Sequence, residues 1–491
     1  MNASTWIRPV LAVVMVFGSG CVRPPFHAAP VAPGAKVGTP RVSDSLRVYV
    51  DSLSMARAAE RSGAALPPAA TVSPDRLADV AWMDILRDTV LTSLVRVAVQ
   101  QNRDVALARA RISEFRAQLG VARAPYVPRV TANASVSTNQ ATFGSSPPVQ
   151  FEAWRATGDV AWELDFWGRI RSGVVAATAD VTAQQFAERA TVLSLVSDVA
   201  SGYLQLLELD DEREIATRTL ASRRATLTLA QERFARGVVS ELDVRQFEGQ
   251  LAVPTARLAQ VERLRSQQEH ALNVLLGEAP AAIPRGGTLL AAARSVTVPD
   301  SLPATLLERR PDVAQSERLL AAASARVGVA AAARLPAVQI AGSYGTQATT
   351  ADRLLASGTN VYQLQLGVSV PLFAGGRYRS DIAAARARAE QARAVYERTA
   401  LTALREAGDA LVAARTAGDE VTANETLVGA LRRALDLSNL RYQSGVASFL
   451  EVLDAQRGLF DAELSLSQSR LRQLTASVQL YRALGGSWPS R

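Results

Sequence analysis

Apolar and polar residues alternate strictly in two segments, Val130 to Ser137 and Ala156 to Phe166. Alternation with a period of two places apolar side chains on one face of a β-strand and polar side chains on the other. The pattern recurs at Ala337 to Tyr344 and at Tyr362 to Val370. The sequence therefore predicts four strands, at about residues 126–138, 153–166, 336–345 and 361–371.

Each predicted strand has about ten residues, the length with which a tilted strand crosses a membrane. Four strands are too few to close a barrel, and an open sheet edge in lipid leaves backbone groups without partners. A membrane-spanning sheet would therefore be completed by other copies of the chain. The alternative is a soluble sheet that lies on helices and turns its polar face to water.

Long helical stretches occupy most of the remaining chain. Proline is absent from Val149 to Val253 and from Leu372 to Trp488, and strong helix formers predominate from Arg377 to Gln443. At ~1.5 Å per residue, this last segment would form a rod about 100 Å long, which must pack against neighbours along its length. The long helices are predicted at about residues 168–236, 240–277, 376–443 and 447–485.

Two short segments separate the long helices, one from Gly237 to Ser240 and one from Gly445 to Ser448. Glycine suits the C-terminal end of a helix, and serine suits the N-terminal cap of the next one. Each pair of long helices is therefore predicted to form an antiparallel hairpin. We call residues 237–240 the first tip and residues 445–448 the second tip.

The chain contains an internal duplication. A shift of 208 residues aligns Gly168 with Gly376, Gly237 with Gly445, and Ser240 with Ser448, among many other pairs in the same register. Copies of roughly two hundred residues are far longer than the repeats of solenoid proteins. The sequence therefore predicts two structural repeats, at residues 75–285 and 286–491.

Residues 1–20 are expected to be a signal peptide, because Arg8 precedes a short apolar run that ends in small residues. That run ends at Cys21 and resembles a bacterial lipobox, which implies a covalent diacylglyceryl and N-acyl lipid on Cys21. The alternative is an ordinary secretory signal followed by an incidental cysteine. Residues 21–74, rich in proline and alanine, are expected to form a lipid-anchored N-terminal segment.

Composition argues against several other functions. A single cysteine and two histidines leave too few ligands for a disulfide or a closed zinc site. The net charge of +8 comes from arginines that alternate with acidic residues along helices, a pattern that does not favour nucleic acid. His270 lies on a predicted helix without a nucleophile elbow, and no phosphate-binding loop is present. We therefore expect no enzymatic activity, cofactor or metal.

Several segments, in this order, resemble the signature sequences of the outer-membrane efflux factors, the TolC-like channel-tunnels. The match is closest to their NodT-type lipoprotein branch and extends from about Trp82 to Trp488. The segments are Trp162-Glu-Leu-Asp-Phe-Trp-Gly-Arg169, Arg309-Arg-Pro-Asp-Val313, Pro371-Leu-Phe-Ala-Gly-Gly-Arg377, Arg441-Tyr-Gln-Ser-Gly-Val-Ala-Ser-Phe-Leu-Glu-Val-Leu-Asp454 and Leu480-Tyr-Arg-Ala-Leu-Gly-Gly-Ser-Trp488.

The resemblance implies an α+β membrane protein, with a long antiparallel α-helical barrel and four transmembrane strands per protomer. Three identical chains would close one twelve-stranded barrel in the outer membrane of a Gram-negative bacterium and extend into the periplasm. The implied partners are outer-membrane lipid, a periplasmic adaptor (membrane fusion) protein and an inner-membrane transporter, most often of the resistance–nodulation–division (RND) type.

The resemblance also assigns a candidate gate. Glu451 and Asp454 lie three residues apart at the start of the last long helix and so share one face. Acids at the matching positions of the family line the periplasmic aperture, and Asp243 is the acid retained in the first copy. The first tip is expected to help hold this aperture shut, and both tips, with Gly237, Ser240, Gly445 and Ser448, to contact the adaptor. The alternative is a solvated acidic pair that suits the positive end of a helix dipole.

The favoured function is passive export of small molecules through a tripartite efflux system. Two alternatives remain: a duct for type I protein secretion, and a non-conducting structural coiled coil of the periplasm. A soluble binding protein is a further alternative. The four alternating strands favour a duct over a coiled coil. The pump selects the cargo, so the sequence of the duct does not decide between efflux of small molecules and protein secretion.

Overall fold

The computed structural model describes residues 88–142, 147–292 and 310–486. The expected signal peptide, Cys21 and the segment 21–74 lie outside the described residues, as does Trp488.

The strands of the described chain form one antiparallel sheet in the order β1-β2-β3-β4. The third and fourth strands come from the second half of the chain, so the sheet joins the two copies. The strands are β1 Arg129–Ala141, β2 Val149–Leu164, β3 Ala337–Ala348 and β4 Asn360–Ser369.

The observed strands differ from the predicted ranges at their ends. The first strand begins at Arg129 and not at residue 126, because a proline-containing 3-10 turn occupies Ala124–Tyr126. The pairing of β1 with β2 continues until Ala141 lies opposite Val149, so the loop between these two strands is shorter than the predicted ranges imply. The last strand ends at Ser369, just before Pro371, which cannot donate to a strand ladder.

Helices form the rest of the described chain, and two of them have 67 residues each. The shift of 208 residues maps both ends of the first 67-residue helix onto the ends of the second. The helices are α1 Thr89–Gln101, α2 Arg103–Arg123, α3 Arg169–Ala235, α4 Glu241–Leu276, α5 Leu289–Ala292, α6 Pro311–Ala332, α7 Arg377–Gln443 and α8 Phe449–Ala483.

The long helices pack as two antiparallel hairpins. The first hairpin is α3 with α4, the second is α7 with α8, and α8 also packs along α3 and so joins them. Near the sheet, α6 packs on both α3 and α7, and α1 packs on α3 and α4. Each rod is therefore covered by other helices over part of its length, which agrees with the expectation that so long a helix packs against neighbours.

A charged turn fixes the entry from β2 into α3. Arg169 donates to both oxygens of Glu163, at 2.9 and 2.6 Å. Asp165 accepts hydrogen bonds from the backbone N–H groups of Ile170 and Arg171, at 3.1 and 2.8 Å, and so satisfies donors at the start of the helix. The charged residues of this motif therefore have a structural role.

In the second copy, Arg310 links the start of α6 to both helices of the second hairpin. Its guanidinium is 8% exposed and pairs with Asp312 at 2.8 Å and with Glu406 of α7 at 2.7 Å. It also donates to the carbonyl of Ala483 at the end of α8, at 3.1 Å. Arg310 thus ties the start of α6 to both helices of the second hairpin.

The largest hydrophobic core lies where α1, α3, α4 and α8 meet. Its fully buried members include Leu94, Tyr203, Leu206 and Leu276. By length and composition, α3 is the one described helix that contains a stretch apolar enough to cross a membrane, and 56% of that stretch is buried inside the protein. Because this apolar stretch contributes to the core, α3 is a core helix.

Candidate functional site

The sheet has one apolar face and one polar face. In the observed register Val130 lies opposite Val160, Trp162 opposite Ile340, and Ile340 opposite Leu366, so apolar side chains from all the strands share a face. Residues between them point to the other face, which carries polar side chains, namely Thr131, Asn133, Ser135, Arg155, Thr157, Asp159, Gln339, Ser343, Gln363 and Gln365.

The apolar face is exposed in a single chain. Tyr362, Leu364 and Leu366 of β4 are 84%, 80% and 69% exposed. Large apolar surfaces of this kind are rare on soluble proteins and mark contact with a membrane or another protein. With strands of 10 to 16 residues, the sheet is long enough to span a bilayer.

The two tips have the same backbone turn. At the first tip, the N–H of Val238 donates to the carbonyl of Arg233 at 2.9 Å, and at the second tip the N–H of Val446 donates to the carbonyl of Arg441 at 3.0 Å. These six-residue closures belong to the Schellman motif, which needs a residue with positive φ. Gly237 and Gly445 supply it, with φ of 71° and 74°.

The side chains that follow the two turns behave differently. At the first tip, Asp243 accepts from the backbone N–H and the hydroxyl of Ser240, at 2.9 and 2.8 Å, while the N–H of Asp243 donates to the Ser240 hydroxyl at 3.2 Å. This is a complete capping box. Ser448 occupies the same place at the second tip but makes no side-chain cap hydrogen bond within the described chain.

The predicted gate residues lie at the second tip. Glu451 and Asp454 are both exposed on the first turns of α8, while Val452 and Leu453 between them are buried. Glu451 lies 3.5 Å from the guanidinium of Arg441, across the turn. Asp243 is half-buried and has its carboxylate in the capping box, so it does not share the exposed setting of the other two acids.

A compact apolar cluster joins the two tips within one chain. The rings of Phe247 and Phe449 lie 3.9 Å apart, and Tyr442 meets Phe449 edge-on at 5.1 Å. Arg233 donates to the hydroxyl of Tyr442 at 3.1 Å and lies over its ring. The first and second hairpins are therefore bound to each other close to the candidate gate.

These linking residues were not among the site residues predicted from the sequence. The only signal was the alignment of Arg233-Phe234 with Arg441-Tyr442 under the internal shift, which indicates equivalent positions but not contact between them. The predicted acids and the linking residues all lie within about two helical turns of a tip.

A second charged region lies inside the rods, on α3. Glu212 is 2% exposed and accepts from Arg257 of α4 at 2.6 Å, and Asp210 pairs with Arg265 and Arg285, each at 2.7 Å. Burial, followed by the neighbouring carboxylate of Glu212, raises the pKa of Glu208 to about 8. In the described chain no group of three or more acidic, histidine or cysteine side chains is arranged to hold a metal ion.

Comparisons with known proteins agree with this architecture. The sequence profile of the outer membrane efflux protein family matches residues 94–278 and again residues 302–486, one match per copy. The toluene efflux pump outer membrane protein TtgC of Pseudomonas putida is 33% identical over 433 residues, covering 86% of this chain and 89% of the relative.

Two further proteins extend the comparison. The outer membrane protein OprJ of Pseudomonas aeruginosa is 32% identical over 489 residues, covering 97% of this chain and 95% of OprJ. The crystal structure of the outer membrane protein VceC of Vibrio cholerae superposes with a TM-score of 0.75 at 27% identity, covering 83% of this chain and 98% of VceC.

These matches confirm the predicted fold class, its duplication and the outer-membrane location, and they confirm the expectation of a non-enzymatic efflux component. The two-faced sheet explains how the chain occupies a membrane, and the paired rods explain how it extends from it. The chain therefore belongs to the outer membrane efflux protein family and is the outer-membrane channel of an efflux pump.

Proposed function

We propose that three copies of this chain form one duct that exports small organic molecules, including solvents and antibiotics of the kind named for its relatives. The observation that carries this proposal is the sheet. In the described chain β1 and β4 each pair on one side only, which leaves two open edges beside an exposed apolar face. Three such sheets joined edge to edge would leave no backbone edge in lipid.

Glu451 and Asp454 form the constriction at the periplasmic end of this duct. Threefold symmetry brings six carboxylates into one ring, which favours cations and disfavours anions inside it. Asp243, Gly237 and Ser240 hold the first tip in a fixed turn beside this ring. The contact of Arg233 with Tyr442 fastens the second hairpin to the first, and its release permits the second tip to move outward.

The tips also provide a surface for a periplasmic adaptor protein. Around Gly237 and Ser240 in the first turn, and Gly445 and Ser448 in the second, apolar side chains are left in solvent. They are more than three-fifths exposed, which fits a docking surface better than a free end. The residues are Val238 at 68%, Leu242 at 66%, Val446 at 71% and Leu450 at 65%. An inner-membrane transporter of the RND type supplies the energy.

Cys21 carries the covalent lipid that anchors the mature N-terminus in the outer membrane. Support comes from the small residues Gly18-Ser19-Gly20 that precede this sole cysteine and from the occurrence of lipoproteins in this family. A diacylglyceryl and an N-acyl group provide three acyl chains, which suffice for stable anchoring, so the N-terminus would be held in the membrane independently of the sheet.

Conductance of the purified full-length protein in planar bilayers tests the duct and its gate together. We expect small cation-preferring openings that divalent cations reduce, because the ring of carboxylates attracts them. The double variant Glu451→Ala/Asp454→Ala should lose most of the cation preference and the divalent block.

The matched control is Glu114→Ala, which removes an exposed acid from α2, far along the chain from either tip. Unchanged selectivity and unchanged block in the double variant would show that these acids do not line the aperture. A protein that never conducts would overturn the duct itself.

A further inference from the structure

A groove of about 410 Å³ crosses α8 between α3 and α7, on the rods. Three guanidinium groups line it, from Arg218 and Arg223 of α3 and Arg432 of α7. Glu463 is the one carboxylate among the described lining residues, so the groove has an excess of two positive charges. Its apolar part consists of Leu435, Leu459 and Phe460.

The groove already binds one carboxylate, that of Glu463. Arg218 and Arg432 each donate to it at 2.8 Å, one from each flanking helix. Glu463 is 9% exposed, whereas the side chains of Arg218 and Arg432 are 56% and 60% exposed. Charge-assisted hydrogen bonds of this type are about twice as strong as neutral ones. The geometry of the groove therefore suits an anionic group held between helices.

Arg223 has hydrogen-bonding capacity that the described residues leave unused. It is 3% exposed, and its Nη1 donates to the carbonyl of Gln250 at 2.7 Å. Its Nε and Nη2 atoms are buried and have no hydrogen-bond partner in the described chain. The guanidinium lies 5.4 Å from the centre of the Phe460 ring, and burial lowers the pKa of Arg223.

Buried donors without partners are costly, and more so when the group is charged. Asp461 is the acid whose charge acts on Arg223, but it is exposed and makes no hydrogen bond to it among the described contacts. An anion that reached Arg223 by a rotation of its side chain would satisfy these donors. It would also offset the positive excess of the groove.

We propose that this groove binds a small amphiphilic organic anion, a carboxylate or sulfonate attached to an aromatic body. The anionic group pairs with Arg223 and lies near Arg218, and the aromatic body packs on Leu459 and Phe460. Such a ligand contacts α3 of the first hairpin and α8 of the second, so it bridges the two hairpins. This site lies outside the aperture and does not depend on the gate assignment.

Binding to the detergent-solubilised full-length protein tests the proposal. The probe is naphthalene-1-sulfonate, followed by fluorescence anisotropy, and 1-naphthylmethanol is the uncharged counterpart of the same size. We expect the sulfonate to bind at least about tenfold more tightly than the alcohol, as one charge-assisted contact would produce.

The test variant is Arg223→Gln, made in the background Pro254→Ala. Pro254 has no N–H, which leaves the Gln250 carbonyl to Arg223, and alanine restores the missing helical donor. The fold therefore no longer needs Arg223 in this background. We expect the sulfonate to bind at least about tenfold more weakly to Pro254→Ala/Arg223→Gln than to Pro254→Ala alone.

Two comparisons complete the experiment. Arg218→Gln should also weaken binding, whereas Arg433→Gln, the same change at an exposed arginine outside the groove, should not. Equal binding of the sulfonate to all variants, or equal binding of sulfonate and alcohol, would show non-specific association and overturn the proposal. Conductance recorded on the same samples reports the channel separately, so loss of the groove site and loss of the duct are distinguishable.

Discussion

Glu208 lies buried on α3, one helical turn from Glu212, and the two carboxylates are held differently. Glu212 has Arg257 as its partner, whereas Glu208 accepts a hydrogen bond only from Gln205, at 3.0 Å, among the described contacts. Its Oε1 atom has no partner there. A buried carboxyl next to a like charge keeps its proton. Glu208 is therefore protonated at neutral pH.

This protonation makes stability depend on pH. The pKa of Glu208 rises from 4.5 to about 8 on folding, so between these values the folded state holds a proton that the unfolded state releases. Its contribution to stability is complete below pH 4.5 and is lost as the pH rises through about 8. Glu208→Gln removes this dependence, so relative to the wild type it should gain a few kcal/mol of stability as the pH rises to 8.5.

Thermal unfolding midpoints between pH 5.5 and 8.5 measure the effect. The control is Glu214→Gln, which changes an exposed acid on the same helix and should leave the pH profile unchanged. Parallel profiles for the wild type and Glu208→Gln would contradict the assignment of a protonated Glu208.

The sequence predicts exposed charges better than buried ones. The three-residue spacing of Glu451 and Asp454 places them on one exposed face, as observed. The acidic run from Glu208 to Glu212 has the composition of a solvated segment, yet its burial depends on Arg257 and Arg285, which lie far along the chain. Contacts over such distances leave no local pattern.

Among the elements, α4 is unusual because it continues through Pro254. Proline removes the N–H that would bind the carbonyl four residues earlier, which is that of Gln250. Arg223 of α3 donates to this carbonyl at 2.7 Å. A side chain of the neighbouring rod thus replaces the missing backbone donor and joins the two helices of the first hairpin.

This replacement predicts a coupling between two positions. Arg223→Met should destabilise the wild type by about 1 kcal/mol, since it leaves the half-buried Gln250 without a donor for its carbonyl. The same change in the Pro254→Ala background should cost clearly less, because the introduced alanine supplies its own N–H. A double-mutant cycle on the thermal unfolding midpoints measures this coupling, and additive effects of the two changes would refute it.

Element types and approximate bounds follow from the sequence where patterns are long. The rod from Arg377 to Gln443 is observed within one residue of the predicted ends, because strong helix formers predominate between two glycine turns and no proline interrupts them. Strand ends are less predictable: β2 begins at Val149, ahead of the expected residue 153, because its pairing with β1 continues until Val149 lies opposite Ala141. The contact of the two tips through Phe247 and Phe449 has no local signal at all.

For the whole molecule, the open edges of the sheet lead to a prediction about mass. Native mass spectrometry of protein extracted in mild detergent should give three chains per particle, because a closed barrel removes every open edge and the family resemblance implies three copies. Each mature chain should begin at Cys21 and carry the mass of a diacylglyceryl and one N-acyl group. In Cys21→Ser the added mass should disappear. A monomer would refute the shared barrel, and an unmodified Cys21 would refute the lipid anchor.

The duplication gave the two tips the same backbone turn but only one capping box, that of Ser240 and Asp243. In a threefold assembly the six tips then alternate around the opening. The three first tips are fixed by their own capping boxes, and the three second tips lack this box and rest against the first tips. A partner protein can therefore move the second tips and leave the first tips in place. In the proposed gate, the duplication therefore divides support and movement between the two halves of the chain.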